Sequence, residues 1–432
     1  MYYLKYKKIY TNNISNLFLI LVYFWLFLFS FGGNFVFSDI LSSDVLQEDD
    51  TIFNDSVVYY VNNRKKYNIL INCSTHGNED LPSKIIEDFI NKGYFSSKFS
   101  FANYVIILKP SKYRLNNRVR YSLEGIDPNR TFISLFSQSS KLVLSLFSKY
   151  DFDLLLDLHE AGYRENTDFM YSNGFYSKFF SNFINNYKVI YDPNKMADLL
   201  KLEEIIISNQ EKIFKELYKS NNIVVSKYYV NGNIGGYEYI SILRNYSIVR
   251  KIPSILFETV NKENKKNTTL NVYYYFLNNL KNNISVFREY KDKMKDFEDN
   301  IRFYYLFDKN YDNIEILKKY LEYNGINFYK YYFISDLDKY KLIEYSIKDA
   351  KVSVDREGMK GLIYVNFEVY TNEVTNKTII QEKLNNSLVI PFSLLVFYLL
   401  DPTSKENLFN LNVLPINLFK ARTFPTKVLG DF

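Results

Sequence analysis

The chain has 432 residues, 47% hydrophobic and 24% charged, a globular composition that excludes a disordered, collagen-like or polytopic membrane protein. Its net charge of +6 comes from 54 basic and 48 acidic side chains whose signs alternate along the chain; the absence of a basic run argues against nucleic acid as a partner. A single cysteine, Cys73, excludes an intramolecular disulfide and a cysteine-built metal site, and only His76 and His159 are available for imidazole chemistry.

Residues 1–40 read as a targeting segment. Lys5, Lys7 and Lys8 precede an almost unbroken apolar run from Leu17 to Phe31, followed by Gly32 and Gly33. A basic region before an apolar one of this length fits an export signal. Extending the run through Phe35, Val36 and Phe37 approaches the ~20 residues of a membrane-spanning anchor. No A-x-A-like cleavage site follows, so a cleaved signal peptide and a retained transmembrane anchor both stand. In either case the lysines stay in the cytoplasm and the rest is exported, to a periplasm, envelope or exterior. Membrane contact is then confined to this segment.

Residues 41–300 show strand-like apolar runs alternating with helical periodicity. YNILINC (67–73), YVIILK (104–109), LLLDL (154–158) and SILFETV (254–260) read as buried strands. The stretches 82–93, 134–150, 194–220 and 286–300 carry apolar residues at helical spacing. This alternation predicts an α/β domain whose mostly parallel, mixed sheet is flanked by helices. From 301 to 432 the texture changes. YYLFDKN, KVSVDREG, GLIYVNFEVYTN and SLVIPFSLLVFYLLD read as short strands, which predicts a smaller β-rich C-terminal domain.

The residues fit for chemistry stand at predicted strand ends. The first strand runs into Ser74-Thr75-His76-Gly77-Asn78-Glu79, where an imidazole and a carboxylate three residues apart can close on one cation. His159 ends the strand DFDLLLDLH. Open α/β sheets place their sites at strand C-termini, and two His with one Glu make a catalytic zinc set with an open fourth position. A histidine at a strand end is more often a plain polar residue, but this chain spends both of its histidines there. Glu258 ends IPSILFET and is open to three readings: a helix cap, a surface residue, or a general base for metal-assisted hydrolysis. Between the strands, Arg120 to Phe132 contains Asp127-Pro128-Asn129-Arg130. That is ordinary turn chemistry, or else a loop presenting arginines and an amide to a carboxylate or an oxyanion.

Taken together, these residues resemble the zinc metallocarboxypeptidase (carboxypeptidase A/B-like) family: HxxE, then R…GxDxNR, a third-ligand His, and a strand-terminal Glu, in that order over residues 67–260. The segment VFYLLDPTSKENLFNLN (396–412) also looks like a C-terminal extension segment of some bacterial members. The resemblance implies one Zn2+ per chain held by His76, Glu79 and His159, with Glu258 as general base and acid. It implies that Arg120 stabilises the oxyanion and that Asn129 and Arg130 hold the substrate's terminal carboxylate. Asp127 would accept the second ring N–H of His76. A substrate-binding tyrosine is implied on the loop before Glu258; Tyr237 fits best by spacing, with Tyr239 and Tyr246 competing. The implied activity is hydrolysis of a C-terminal amide bond in peptides or peptidoglycan stem peptides. A related deacylase group, of the aspartoacylase or succinylglutamate desuccinylase type, shares the motif and would act on N-acyl amino acids. A zinc-containing binding protein is the reading outside enzymes, against which the intact Arg120 and Glu258 argue.

Overall fold

The computed structural model describes residues 56–430 except 112–114, 122–124, 136, 187–190, 231–232, 235–238, 300, 302, 311–313, 331–339, 356–361, 402–403 and 405–425. The expected signal or anchor, 1–40, lies outside the described residues. Among those described, no helix is long and apolar enough to cross a membrane.

The first part contains β1 (Val57–Val61), β2 (Asn68–Cys73), α1 (Leu81–Asn91), the single turn α2 (Tyr94–Ser97), β3 (Asn103–Lys109), α3 (Gln138–Lys149), β4 (Leu154–Ala161), β5 (Phe169–Gly174), α4 (Tyr176–Asn186) and α5 (Pro193–Asn221). It continues with β6 (Val225–Lys227), the two-residue strands β7 (Tyr229–Val230) and β8 (Asn233–Ile234), α6 (Leu243–Val249), β9 (Ser254–Val260), α7 (Lys265–Leu280) and α8 (Ile284–Glu298). Seven strands form one sheet in the order β1-β3-β2-β4-β9-β5-β6. The neighbours β3, β2, β4 and β9 run parallel, while β1 lies antiparallel to β3 and β5 antiparallel to β9.

This is the mixed, mostly parallel α/β sheet expected, and the four apolar runs are its four central strands. β9 is buried at every position and β2 at all but its first, which is why they lack polar alternation: helices cover both faces. Helix boundaries follow local chemistry. Ser137 caps α3 by accepting from the Ser140 N–H, and Asp192 caps α5 through Asn194 N–H before Pro193. The strand β5 has no counterpart in the sequence reading. Its residues FMYSNG lack a long apolar run, yet all six are buried. It ends at Gly174, where a Cβ would collide with Ser254 Oγ and approach the Arg244 carbonyl, so close packing of α6 over β5 requires glycine.

The second part holds β10 (Phe303–Asp308), α9 (Ile314–Tyr323), β11 (Tyr340–Asp355), β12 (Leu362–Val374), α10 (Lys377–Asn386), β13 (Ser387–Pro391), α11 (Leu394–Leu400) and β14 (Thr426–Gly430). Its five-stranded sheet, β12-β11-β14-β10-β13, is antiparallel throughout. One reading needs correction. SLVIPFSLLVFYLLD is not all strand: β13 stops at Pro391, and Ser393 caps a helix by accepting from the Val396 N–H. An all-apolar run has no face to distinguish strand from helix, and the Pro391 and Ser393 punctuation decides it. The two parts share one continuous core. Phe183 of α4 lies 4.6 Å from the Phe392 ring and 5.5 Å from that of Phe303.

Candidate metal centre and cleft

Ser74, in a left-handed conformation (φ 54°), turns the chain out of β2. The turn closes with Glu79 N–H donating to the His76 carbonyl (3.1 Å), and Gly77 N–H donates to the Val119 carbonyl (3.1 Å). Helix α1 then begins at Leu81, whose N–H donates to Glu160 Oε1 at 2.8 Å. Since Glu160 directly follows His159 on β4, this bond fastens the His76–Glu79 turn to the end of the neighbouring strand. His159 is in register with Glu258 across the parallel β4–β9 pair, so both side chains stand on one face of the sheet.

These strand ends bring His76, Glu79 and His159 together, all buried, with potential ligand atoms within 4.8 Å of one another. His76 Nδ1 lies 2.6 Å from Glu79 Oε1, and His159 Nδ1 lies 2.8 Å from Glu79 Oε2. The remaining ring nitrogens face carboxylates: His76 Nε2 is 2.9 Å from Asp127 Oδ1, and His159 Nε2 is 3.2 Å from Asp157 Oδ1. This donor set fits zinc. Each imidazole turns the same nitrogen inward, and a carboxylate behind it fixes that tautomer. Sequence reasoning missed Asp157. The available signal was a carboxylate in an otherwise apolar strand, two residues before His159 and therefore on its face.

Ionisation agrees with a cation site. Burial pushes the Glu79 carboxyl up, but the two imidazoles, by charge and hydrogen bond, hold it well below the usual carboxylate range. Burial opposes ionisation of Asp127 as well, and His76 and the arginines still keep it low. Burial works against the His159 imidazolium; Asp157 and Glu79 outweigh it and hold the pKa well up. Glu258 differs. Burial, reinforced by Glu79 and only partly offset by His159, pushes its carboxyl up to about 7. A carboxyl near neutrality beside a metal set suits proton transfer in both directions.

The β3–α3 connection supplies the groups on the other side of these ligands. Arg120 reaches the centre through carboxylates, with Nη1 3.0 Å from Glu79 Oε1 and Nη2 3.3 Å from Asp127 Oδ2. Asp127 also caps a 3₁₀ turn, Pro128–Arg130, by accepting from Asn129 N–H at 2.9 Å. Asn129 Nδ2 lies 3.5 Å from His159 Nε2. Arg130 donates from Nη1 to the Asn129 carbonyl (2.9 Å), while its buried Nε has no hydrogen-bond partner among the described residues. Its guanidinium lies 5.7 Å from the Tyr239 ring centroid. Tyr237 lies outside the described residues. Tyr246 is fully buried and donates to Asn324, away from the metal ligands. Tyr228, which no spacing argument pointed to, has its phenol pushed up by burial and by the Glu258 charge.

No family profile and no curated protein matches this sequence. Solved structures do match in fold. A metallo-carboxypeptidase from Pseudomonas aeruginosa aligns at 13% identity with a TM-score of 0.41, over 54% of this chain and 62% of that one. The cell shape determinant protein Csd4 of Helicobacter pylori aligns at 14% identity and TM-score 0.37, over 59% and 61%. A succinylglutamate desuccinylase from Chromobacterium violaceum aligns at 13% identity and TM-score 0.30, over 52% and 67%. The chain thus spans about six-tenths of the first of these proteins (62%). Likeness at this level assigns neither an activity nor a substrate.

Proposed function

We propose that this chain is an exported zinc-dependent metallocarboxypeptidase that removes the C-terminal residue of peptides, with peptidoglycan stem peptides as one substrate class. One observation carries the reading: the buried His76–Glu79–His159 cluster includes a histidine that shares a sheet face with Glu258 and lies against Asn129. His76, Glu79 and His159 would hold the ion. An ion held there would supply Lewis-acid chemistry toward a carbonyl and toward the attacking water.

The protein's own groups divide the remaining work. Asn129 Nδ2 and Arg130 bind the substrate's terminal carboxylate, which orients the last amide bond toward the metal ligands. Glu258 takes the proton of the attacking water and returns it to the leaving amine nitrogen, the bond to which then breaks. Arg120 stabilises the oxyanion that develops on the carbonyl oxygen. Asp127 and Asp157 keep the imidazoles oriented.

The test uses zinc-loaded protein with a pool of linear peptides, N-acyl amino acids and muropeptides, read by mass spectrometry. Loss of single C-terminal residues, reduced on the order of 10²–10⁴-fold in Glu258→Gln at unchanged zinc content, is expected. Products confined to N-acyl amino acids would replace this reading with a deacylase. Near-normal turnover by Glu258→Gln would remove Glu258 from the mechanism.

A further inference from the structure

We infer that Tyr320 and Asn324 of the C-terminal extension are positioning residues for the Asn129–Arg130 turn. The extension is thereby part of the binding site's framework. What the turn binds rests on the carboxypeptidase reading above; the tether itself does not.

The argument follows a closed circuit of hydrogen bonds. Asn129 Oδ1 accepts from Leu243 N–H at 3.0 Å, which turns its Nδ2 toward His159. The direction in which this amide donates therefore depends on where the first turn of α6 stands. Phe132 N–H adds a second link, to the Ser241 carbonyl at 3.3 Å. Helix α6 has only seven residues, all buried, too short to hold itself in place. Its Tyr246, fully buried, donates to Asn324 Oδ1, and that oxygen also lies 3.3 Å from Arg250 Nη1. Asn324 Nδ2 in turn donates to the Tyr320 carbonyl at 2.8 Å. The Tyr320 phenol closes the circuit by donating to the Ile133 carbonyl, in the segment that leaves the 3₁₀ turn.

Two properties make this a device for position. First, Asn324 is 2% exposed and Tyr320 is 9% exposed, so water cannot easily replace a lost partner. Second, the circuit joins three distant stretches of chain at the turn. No described residue of the β3–α3 connection belongs to a strand, so hydrogen bonds to distant stretches supply the definition that the β4–β9 ladder gives His159 and Glu258.

The experiment compares Tyr320→Phe and Tyr246→Phe with Tyr305→Phe in the full chain loaded with zinc. Tyr305 is the control: it donates to Asp401 Oδ2 at 2.8 Å, a buried bond elsewhere in the same extension. Amide exchange is read over residues 126–135, where Arg130, Phe132 and Leu135 N–H groups donate to backbone carbonyls. Zinc content, kcat and KM on a free-acid peptide are read alongside. Expected are exchange raised several-fold over 126–135 in the first two variants only, KM raised roughly three- to tenfold, kcat within about twofold, and full zinc. Unchanged exchange over 126–135, or an equal rise in Tyr305→Phe, would overturn the inference. If wild-type protein binds zinc and cleaves no peptide while exchange shifts as stated, the tether stands and the carboxypeptidase reading falls.

Discussion

The two sides of the candidate site are held by different physics. On the metal side, His76, Glu79, His159 and Glu258 stand at or just beyond the ends of β2, β4 and β9, which are adjacent and parallel. Ladder hydrogen bonds fix His159 and Glu258, the His76–Glu79 turn is fastened to β4 by the Leu81–Glu160 bond, and burial of strands apolar on both faces secures the frame at ~1.5–3 kcal/mol per large side chain. On the substrate side, Asn129 and Arg130 sit in a turn within a long connection, held by single hydrogen bonds from α6 and α9. A reaction centre tolerates little displacement, so it belongs on the sheet. A binding turn can be set by tethers that tune it separately.

This contrast can be broken or sharpened by mutation. The largest effect should come from His76→Ala and His159→Ala, each losing stoichiometric zinc and all turnover. Zinc bound one-to-one in both variants would put the metal elsewhere. Arg130→Gln should keep full zinc and raise KM about ten- to hundredfold, through loss of charge-assisted bonds to a carboxylate; a loss of zinc instead would merge the two sides. Asp157→Asn should weaken zinc about 10–100-fold, measured by competition with a chelator, because His159 loses the partner that orients it.

The smallest effect lies away from the site, at Glu203 on α5. This buried carboxyl accepts from Ser177 N–H (3.1 Å) and from the Tyr290 phenol (2.5 Å), and burial raises its pKa above the ordinary value. A carboxyl raised on folding is held protonated longer in the folded state. Its contribution is complete below the unfolded pKa of ~4.3 and is lost as pH rises toward the folded value. Glu203→Gln removes that loss. The variant's Tm relative to wild type should therefore become more favourable as pH rises above about 4. A difference independent of pH would contradict the raised pKa.

The same contrast explains what the sequence made legible. The central strands announce themselves as apolar runs, and residues at their ends inherit a predictable place, so His76, Glu79 and His159 could be picked out as a candidate metal set, while the role of Glu258 came only with the family resemblance. Asp127, Asn129 and Arg130 were visible only as a motif, since a turn's position depends on partners more than a hundred residues away, such as Leu243. β5 was hidden because FMYSNG carries no long apolar run; its burial comes from distant partners, with Phe169 on Phe257 and Tyr273, Tyr171 on Phe214, and α6 over Gly174. The helix α11 was hidden inside an apolar run, where neither period shows. The roles of Tyr320 and Asn324 have no local signature at all; only the folded chain brings them to Ile133 and Tyr246.

The most direct test of the central claim uses one peptide in two forms, with a free C-terminal carboxylate and with a C-terminal amide. Each is incubated with zinc-loaded protein, with chelator-stripped protein and with stripped protein reloaded with zinc, and products are weighed by mass spectrometry. A zinc carboxypeptidase shortens the free acid by single residues, leaves the amide nearly intact, stops when stripped and recovers when reloaded. Equal cleavage of both forms, internal cuts, or turnover undiminished by stripping would contradict it.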